Sequence, residues 1–219
     1  MKHTVKKPVR RRVATDTRIA GVKTVRDWRR FKRKLKVGGS VEAWQVAFRD
    51  YFYERLSTRY LAPIAAIRAR DTEKGEGFSI VAIHCTLVEY FESTIQGISY
   101  HYLLKGESLG PYEYRDSMKK FVDFLCNRRP FNKVFDAASA LDFYLSVRCG
   151  LLHEARTKNG WTISVNRSRQ AISIKKKVIY RNNFHDALLE FVDWYEQALM
   201  STDSLQEAFI RKFDSLCVG

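Results

Sequence analysis

The chain has 219 residues, the size of one large domain or two small ones, and is 45% hydrophobic and 13% aromatic, enough to bury a core. Gly and Pro number only 11 and 4, which excludes collagen-like and low-complexity chains and leans towards helix. The formal charge of +15 is concentrated: residues 1 to 40 hold fifteen of the 39 basic side chains against Asp16 and Asp27, so the rest of the chain carries only +2.

That charge suggests a nucleic-acid partner reached mainly through the N-terminus. The longest nearly apolar run, from Phe78 to Phe91, is too short to span a bilayer, and no apolar segment follows the basic start. The expectation is a cytoplasmic protein with no membrane contact. Cys85, Cys126, Cys149 and Cys217 form no C-x-x-C pair, and the five histidines supply no ligand spacing. Structural thiols, no metal and no cofactor are therefore expected.

In chain order, residues 1 to 39 read as a basic arm. Arg10, Arg11 and Arg12 lie in its first half, where too few apolar residues occur to offset the entropy of ordering. A short amphipathic helix over Thr24 to Lys36 follows, with Trp28, Phe31 and Leu35 under a basic face of Arg29, Arg30, Lys32, Arg33 and Lys34. This helix could dock on the body, lie along phosphates or bind an acidic partner, and its basic residues are the arm's candidate phosphate contacts.

Residues 40 to 219 read as an all-α domain, a helical bundle of about six helices with one inserted β-hairpin. Ser40 with Glu42 opens a helix to about Ser57, and Pro63 starts a separate short one. The longest helix is expected over Phe78 to about Leu104, central and mostly buried, with Ile80, Leu87, Phe91 and Thr94 on its stripe. Glu89 and Glu92 could act as buried carboxylates that orient a catalytic pair, but Glu89 projects roughly opposite the stripe, which favours a solvated or interfacial position. Helices near Arg115 to Cys126 and over the FDAASALDFYLSVRCGLL stretch come next. Alternation from Trp161 to Val165 and again from Ile172 to Tyr180 predicts a hairpin over about 161 to 180, turning at Arg167 to Gln170, with Lys175 to Lys177 as a charged edge. Two helices, from Phe184 and from Ser204, close the chain.

One stretch carries chemistry. In Val147-Arg148-Cys149-Gly150-Leu151-Leu152-His153-Glu154, an arginine precedes a histidine by five positions near the end of an amphipathic helix. This resembles the R-x(4 to 6)-H signature of the HEPN superfamily, all-helical domains found in bacterial toxins and phage-defence ribonucleases, and the resemblance covers roughly residues 41 to 216. It implies a metal-independent endoribonuclease that cleaves RNA through the 2′-hydroxyl, with His153 as acid or base and Arg148 as phosphate clamp. It also implies a homodimer whose two motifs build one cleft, and an antitoxin or defence-system protein as a further partner.

The residue types suit that chemistry. An imidazole exchanges protons near neutral pH, and a guanidinium offers two parallel hydrogen bonds to a phosphate. On an ideal helix, however, a five-residue offset turns the two side chains about 140° apart, so a partner copy or a helix loosened at Gly150 is needed to bring such groups together. Cys149 departs from the family pattern, which commonly places Asn, Asp or His there. Glu154, Arg156, Lys158 and Asn159 follow at once, with Cys149, Glu154 and Asn159 as candidate supporting residues and Arg156 and Lys158 as further phosphate contacts. The other reading is a non-catalytic dimeric nucleic-acid-binding scaffold in which the motif is vestigial.

Overall fold

A computed structural model describes residues 14 to 70, 72 and 74 to 218. The described chain is mostly helical, with three small sheets. Its first strands, β1 (Arg18–Ala20) and β2 (Lys23–Thr24), pair antiparallel and feed α1 (Val25–Lys32). Thr24 caps α1 reciprocally with Asp27, and the hydrogen bonds from Thr24 hold the Asp27 carboxyl below its ordinary range.

The amphipathic stretch is docked rather than detached. Trp28 is fully buried, meets Tyr51 edge-on at 5.0 Å and Phe213 at 5.3 Å, and donates its indole N–H to Asp214 at 2.9 Å. Burying that ring stabilises the N-terminal segment against the body by a few kcal/mol, on the order of the cost of a Trp→Ala change. Residues 1 to 13, including Arg10, Arg11 and Arg12, lie outside the described residues.

The next helix, α2, runs unbroken through five segments: Val41–Ala47, a π-helical Phe48–Tyr53, Glu54–Leu56, a π-helical Ser57–Leu61, and Ala62–Ala69. The expected break before Pro63 is absent. A wide π turn just upstream changes the hydrogen-bond register where the proline ring would otherwise meet the carbonyl of the preceding turn.

The central helix α3 (Glu76–Gln96) stops eight residues before the expected end. Gly97 terminates it with φ 64°, and a Cβ there would stand 2.5 Å from the backbone of Ala208, so glycine serves both the left-handed cap and the close approach of the last helix. Because α3 touches α2, α4, α5, α6 and α7, it is buried nearly all round. Glu92 therefore lies in the interior, held bidentately by Arg128 at 2.9 Å and by Gln96.

Strands β3 (Ser99–Tyr100) and β4 (Glu113–Tyr114) pair in parallel and close the loop between them. Helix α4 (Ser117–Asn127) follows, capped by Asp116. A short 3₁₀ turn (Phe131–Lys133) leads to α5, built of Ala137–Phe143, a π-helical Tyr144–Arg148 and Cys149–Glu154.

The strand pairing that follows differs from the expected hairpin. β5 (Thr162–Ser164) lies parallel to β7 (Val178–Tyr180), while β6 (Ile172–Ser173) pairs antiparallel with β7 around a turn at residues 174 to 177. The three lysines thus form the turn instead of an edge, with Lys177 at φ 52°. Alternation marked the strands but carried no information on their direction.

Helices α6 (Arg181–Leu199) and α7 (Asp203–Ser215) complete the fold. Phe191 of α6 stacks on Phe91 of α3 at 4.9 Å and meets Phe124 of α4 at the same distance, which places the aromatic core where three helices converge. Among the described residues, no helix is long and apolar enough to cross a membrane.

Candidate functional site

Helix α5 carries the arginine-histidine motif, and its local geometry is set at both ends. Asp136 and Ser139 cap its start reciprocally, and Ala155 ends it in the left-handed region at φ 53°. The π turn ends on Arg148 itself, closed by the Cys149 N–H donating to the Tyr144 carbonyl. It widens the helix at the motif arginine and leaves Cys149–Glu154, with His153, on ordinary α geometry.

Gly150 does not loosen this helix. A Cβ there would stand 2.5 Å from the Arg156 carbonyl, so the glycine admits the loop that folds back beside it. The Arg156 N–H donates to the Gly150 carbonyl at 3.3 Å and the Lys158 N–H to the Ser146 carbonyl at 2.9 Å.

Arg148 is half-buried. Its guanidinium lies 5.2 Å from the centre of the Tyr144 ring and its Nη2 is 3.8 Å from Glu89 Oε2. That separation is too long for a hydrogen bond, so the contact to Glu89 is electrostatic and leaves the fork of N–H donors available for a closer acceptor. The Glu89 carboxylate is itself fixed: its Oε1 accepts from the Tyr114 hydroxyl at 2.9 Å and the Ser117 hydroxyl at 2.8 Å. Burial, first, and the charge on Glu89 push the Tyr114 phenol upwards, which keeps it a donor. Burial raises the Tyr144 phenol as well, against the pull of Arg148.

Before Arg148 opens a depression of about 510 Å³, lined by Tyr100, Arg115, Asp116, Ser117, Tyr144 and Arg148 itself. Such an arrangement can receive an anion. One guanidinium is aimed by a carboxylate and an aromatic face, and a second arginine stands at the rim.

The remaining predicted residues sit elsewhere. His153 is exposed on the last turn of α5 and does not line that depression. Cys149 packs against the core as a partly buried apolar group. Glu154 pairs with Arg156 at 2.9 Å and with Lys158, and these partners hold its carboxyl below the ordinary range. The two basic residues therefore face a carboxylate, not open solvent alone.

Asn159 belongs to a clasp. Its amide donates to Ser146 Oγ at 2.9 Å, and that hydroxyl donates to Asp142 at 2.7 Å. Asp142 also accepts from the indole of buried Trp161 at 2.9 Å and pairs with Lys177 at 3.2 Å. Burial opposes ionisation of Asp142, but the hydrogen bonds from Ser146, Trp161 and Lys177 outweigh it and keep its carboxyl low.

Of the basic residues in α1 and just beyond it, Arg30, Arg33 and Lys34 are exposed, Lys32 pairs with Asp214, and Arg29 reaches the Cys217 carbonyl at 3.4 Å. Arg29, Lys32 and Arg33 line a groove of about 460 Å³ with Asp214. Among the described residues, no cluster of three or more His, Cys, Asp or Glu side chains is placed to hold a metal ion.

Glu89, Tyr114, Ser117 and Tyr144 are the side chains that define Arg148's surroundings, and sequence reasoning set the first aside and missed the rest. Glu89 projects away from the α3 stripe, but α4 and α5 pack on that side of α3, so that projection leads to Ser117 and Arg148 rather than to water. Comparison with family models, with curated proteins and with solved structures gives no match.

Proposed function

We propose that the protein is an RNA-cleaving enzyme of the HEPN type, acting without a metal as a dimer. The observation that carries this reading is the state of Arg148. Its guanidinium lies at an open depression, oriented by Glu89 and Tyr144, with its hydrogen-bonding fork uncommitted, on the same helix as an exposed imidazole.

In this reading Arg148 binds the phosphoryl oxygens and stabilises the charge that builds on them. His153 exchanges the proton: as base it removes it from the 2′-hydroxyl, or as acid it delivers it to the departing 5′-oxygen. The bond formed joins the 2′-oxygen to phosphorus and the bond broken releases the 5′-oxygen, giving a 2′,3′-cyclic phosphate and a 5′-hydroxyl. The family resemblance suggests a toxin or anti-phage setting with a protein partner that restrains the activity.

A second copy supplies what one chain lacks. Leu141, Leu145 and Leu152 are 37%, 49% and 51% exposed and lie at helical spacing along α5 on either side of Arg148. A two-fold contact along that stripe would cover the leucines and bring the partner's motif towards Arg148. The test is cleavage of total RNA with a chelator present, beside light scattering. A dimer that cleaves, and that loses cleavage in both Arg148→Ala and His153→Ala, supports the reading; a monomer at micromolar concentration counts against it.

The placement of His153 outside the Arg148 depression favours a second reading, a nucleic-acid-binding scaffold without catalysis. Binding without cleavage in the intact dimer selects it.

A further inference from the structure

Three surface depressions share lining residues and form one path. The Arg148 depression and a second one of about 500 Å³ meet at Tyr100, and this second one meets the Arg29-Arg33 groove at Asp214 and Val218. We propose that this path is a track for single-stranded RNA, in which Tyr100 and Tyr112 stack bases while the basic groups at the two ends hold phosphates. At its Arg148 end the track rests on the ribonuclease reading, because that is where the strand would be cut.

The two tyrosines are built as platforms. Tyr100 is 52% exposed and is backed edge-on by Tyr114 at 5.7 Å; Tyr112 is 53% exposed and is backed by the Arg211 guanidinium, 4.7 Å from its ring centre. Half-exposed rings held from behind lose little freedom when a base lands on them. The loop that carries them is pinned at both ends, by the Ser99 N–H on the Tyr112 carbonyl at 3.0 Å and the His101 N–H on the Tyr114 carbonyl at 2.8 Å.

The charge pattern fits a strand whose phosphates lie towards the ends. Along the path, six arginine and lysine side chains line the walls against three carboxylates, Asp116, Asp214 and Glu113. Each carboxylate is already engaged: Asp116 caps α4, Asp214 takes Trp28 and Lys32, and Glu113 accepts from the Gly110 N–H and lies 3.5 Å from His101. A duplex hides its bases from such rings, so a single strand is the form that uses them.

The test measures binding of a 2′-O-methyl RNA 12-mer, which lacks the hydroxyl needed for cleavage, and of the same sequence as a duplex, by fluorescence anisotropy over a salt series. Tyr100→Ala and Tyr112→Ala should each weaken single-strand binding about tenfold and leave duplex binding nearly unchanged. Arg29→Ala with Arg33→Ala should lower the slope of log affinity against log salt by about 0.7 for each phosphate that is no longer neutralised. Near-ultraviolet circular dichroism and the melting temperature verify that the variants are folded. Single-strand affinity and salt slope unchanged across all four substitutions would overturn the track. Unmodified RNA left uncut by a protein that binds through these tyrosines would instead overturn the ribonuclease reading and leave the track standing.

Discussion

The two sides of α5 differ in how their polar groups are used. On the side facing the 155 to 161 loop, Asp142, Ser146, Asn159, Trp161 and Lys177 satisfy one another in a closed set of hydrogen bonds. On the side facing α3, Arg148 has, among the described residues, an electrostatic contact to Glu89 and a ring beneath it, and opens onto solvent. A saturated network fixes structure, whereas donors held in place but left unpaired are what a ligand can use.

The largest effect should come from the open side. Arg148→Ala or His153→Ala should lower RNA cleavage at least a hundredfold, the scale of losing a proton-transfer group or a charge-stabilising donor, with the melting temperature nearly unchanged. Quantitative cleavage assays beside thermal melts separate activity from folding. Asp142→Ala should do the reverse. It leaves the buried Trp161 indole without an acceptor and should cost about 2 kcal/mol of stability, read by urea denaturation, while sparing RNA binding.

Cys149 stands between the two sides and sharpens the contrast. Because it packs against the core, Cys149→Asn should lower stability by about 1 kcal/mol with no gain in rate, and Cys149→Ala should be tolerated. A faster Asn variant would show that the position reaches the reacting phosphate after all.

The smallest effect separates buried His84, with its half-buried partner His185, from exposed His153. His84 Nε2 lies 3.2 Å from His185 Nδ1, with Arg68 of α2 and Asp186 also acting on the pair. Burial, His185 and Arg68 hold His84 well below its ordinary value, and burial with Arg68 lowers His185 despite Asp186. With folded values depressed, the unfolded chain takes up protons first as pH falls below about 6.5, so stability is full above that value and declines beneath it. His84→Leu should flatten the decline of melting temperature between about pH 6.5 and 5 without altering the pH dependence of cleavage.

Much of this architecture could be read from periodicity. The helical class and the central helix near Phe78 follow from apolar spacing alone, whereas the spacing of Trp28, Phe31 and Leu35 marks an amphipathic helix but leaves its docking open. What could not be read depends on contacts distant in sequence. Pro63 reads as a helix start, yet π turns carry α2 through it. The strands at 162 and 178 alternate as expected, yet run parallel because the chain crosses over before returning. At the site, Arg148 and His153 were legible as a pair in sequence, but the structure places Glu89, Tyr114 and Ser117 around the arginine and leaves the histidine apart. No spacing rule links residue 89 to residue 148.

The central claim is that Arg148 and His153 direct attack by the 2′-hydroxyl. It is tested most directly by mapping the ends of RNA cut by the purified protein with a chelator present, on a substrate and on its copy carrying one 2′-deoxy nucleotide at the cut site. The account predicts a 2′,3′-cyclic phosphate with a 5′-hydroxyl and no cut at the deoxy position. A 5′-phosphate product, or cleavage that persists at the deoxy position, would contradict it.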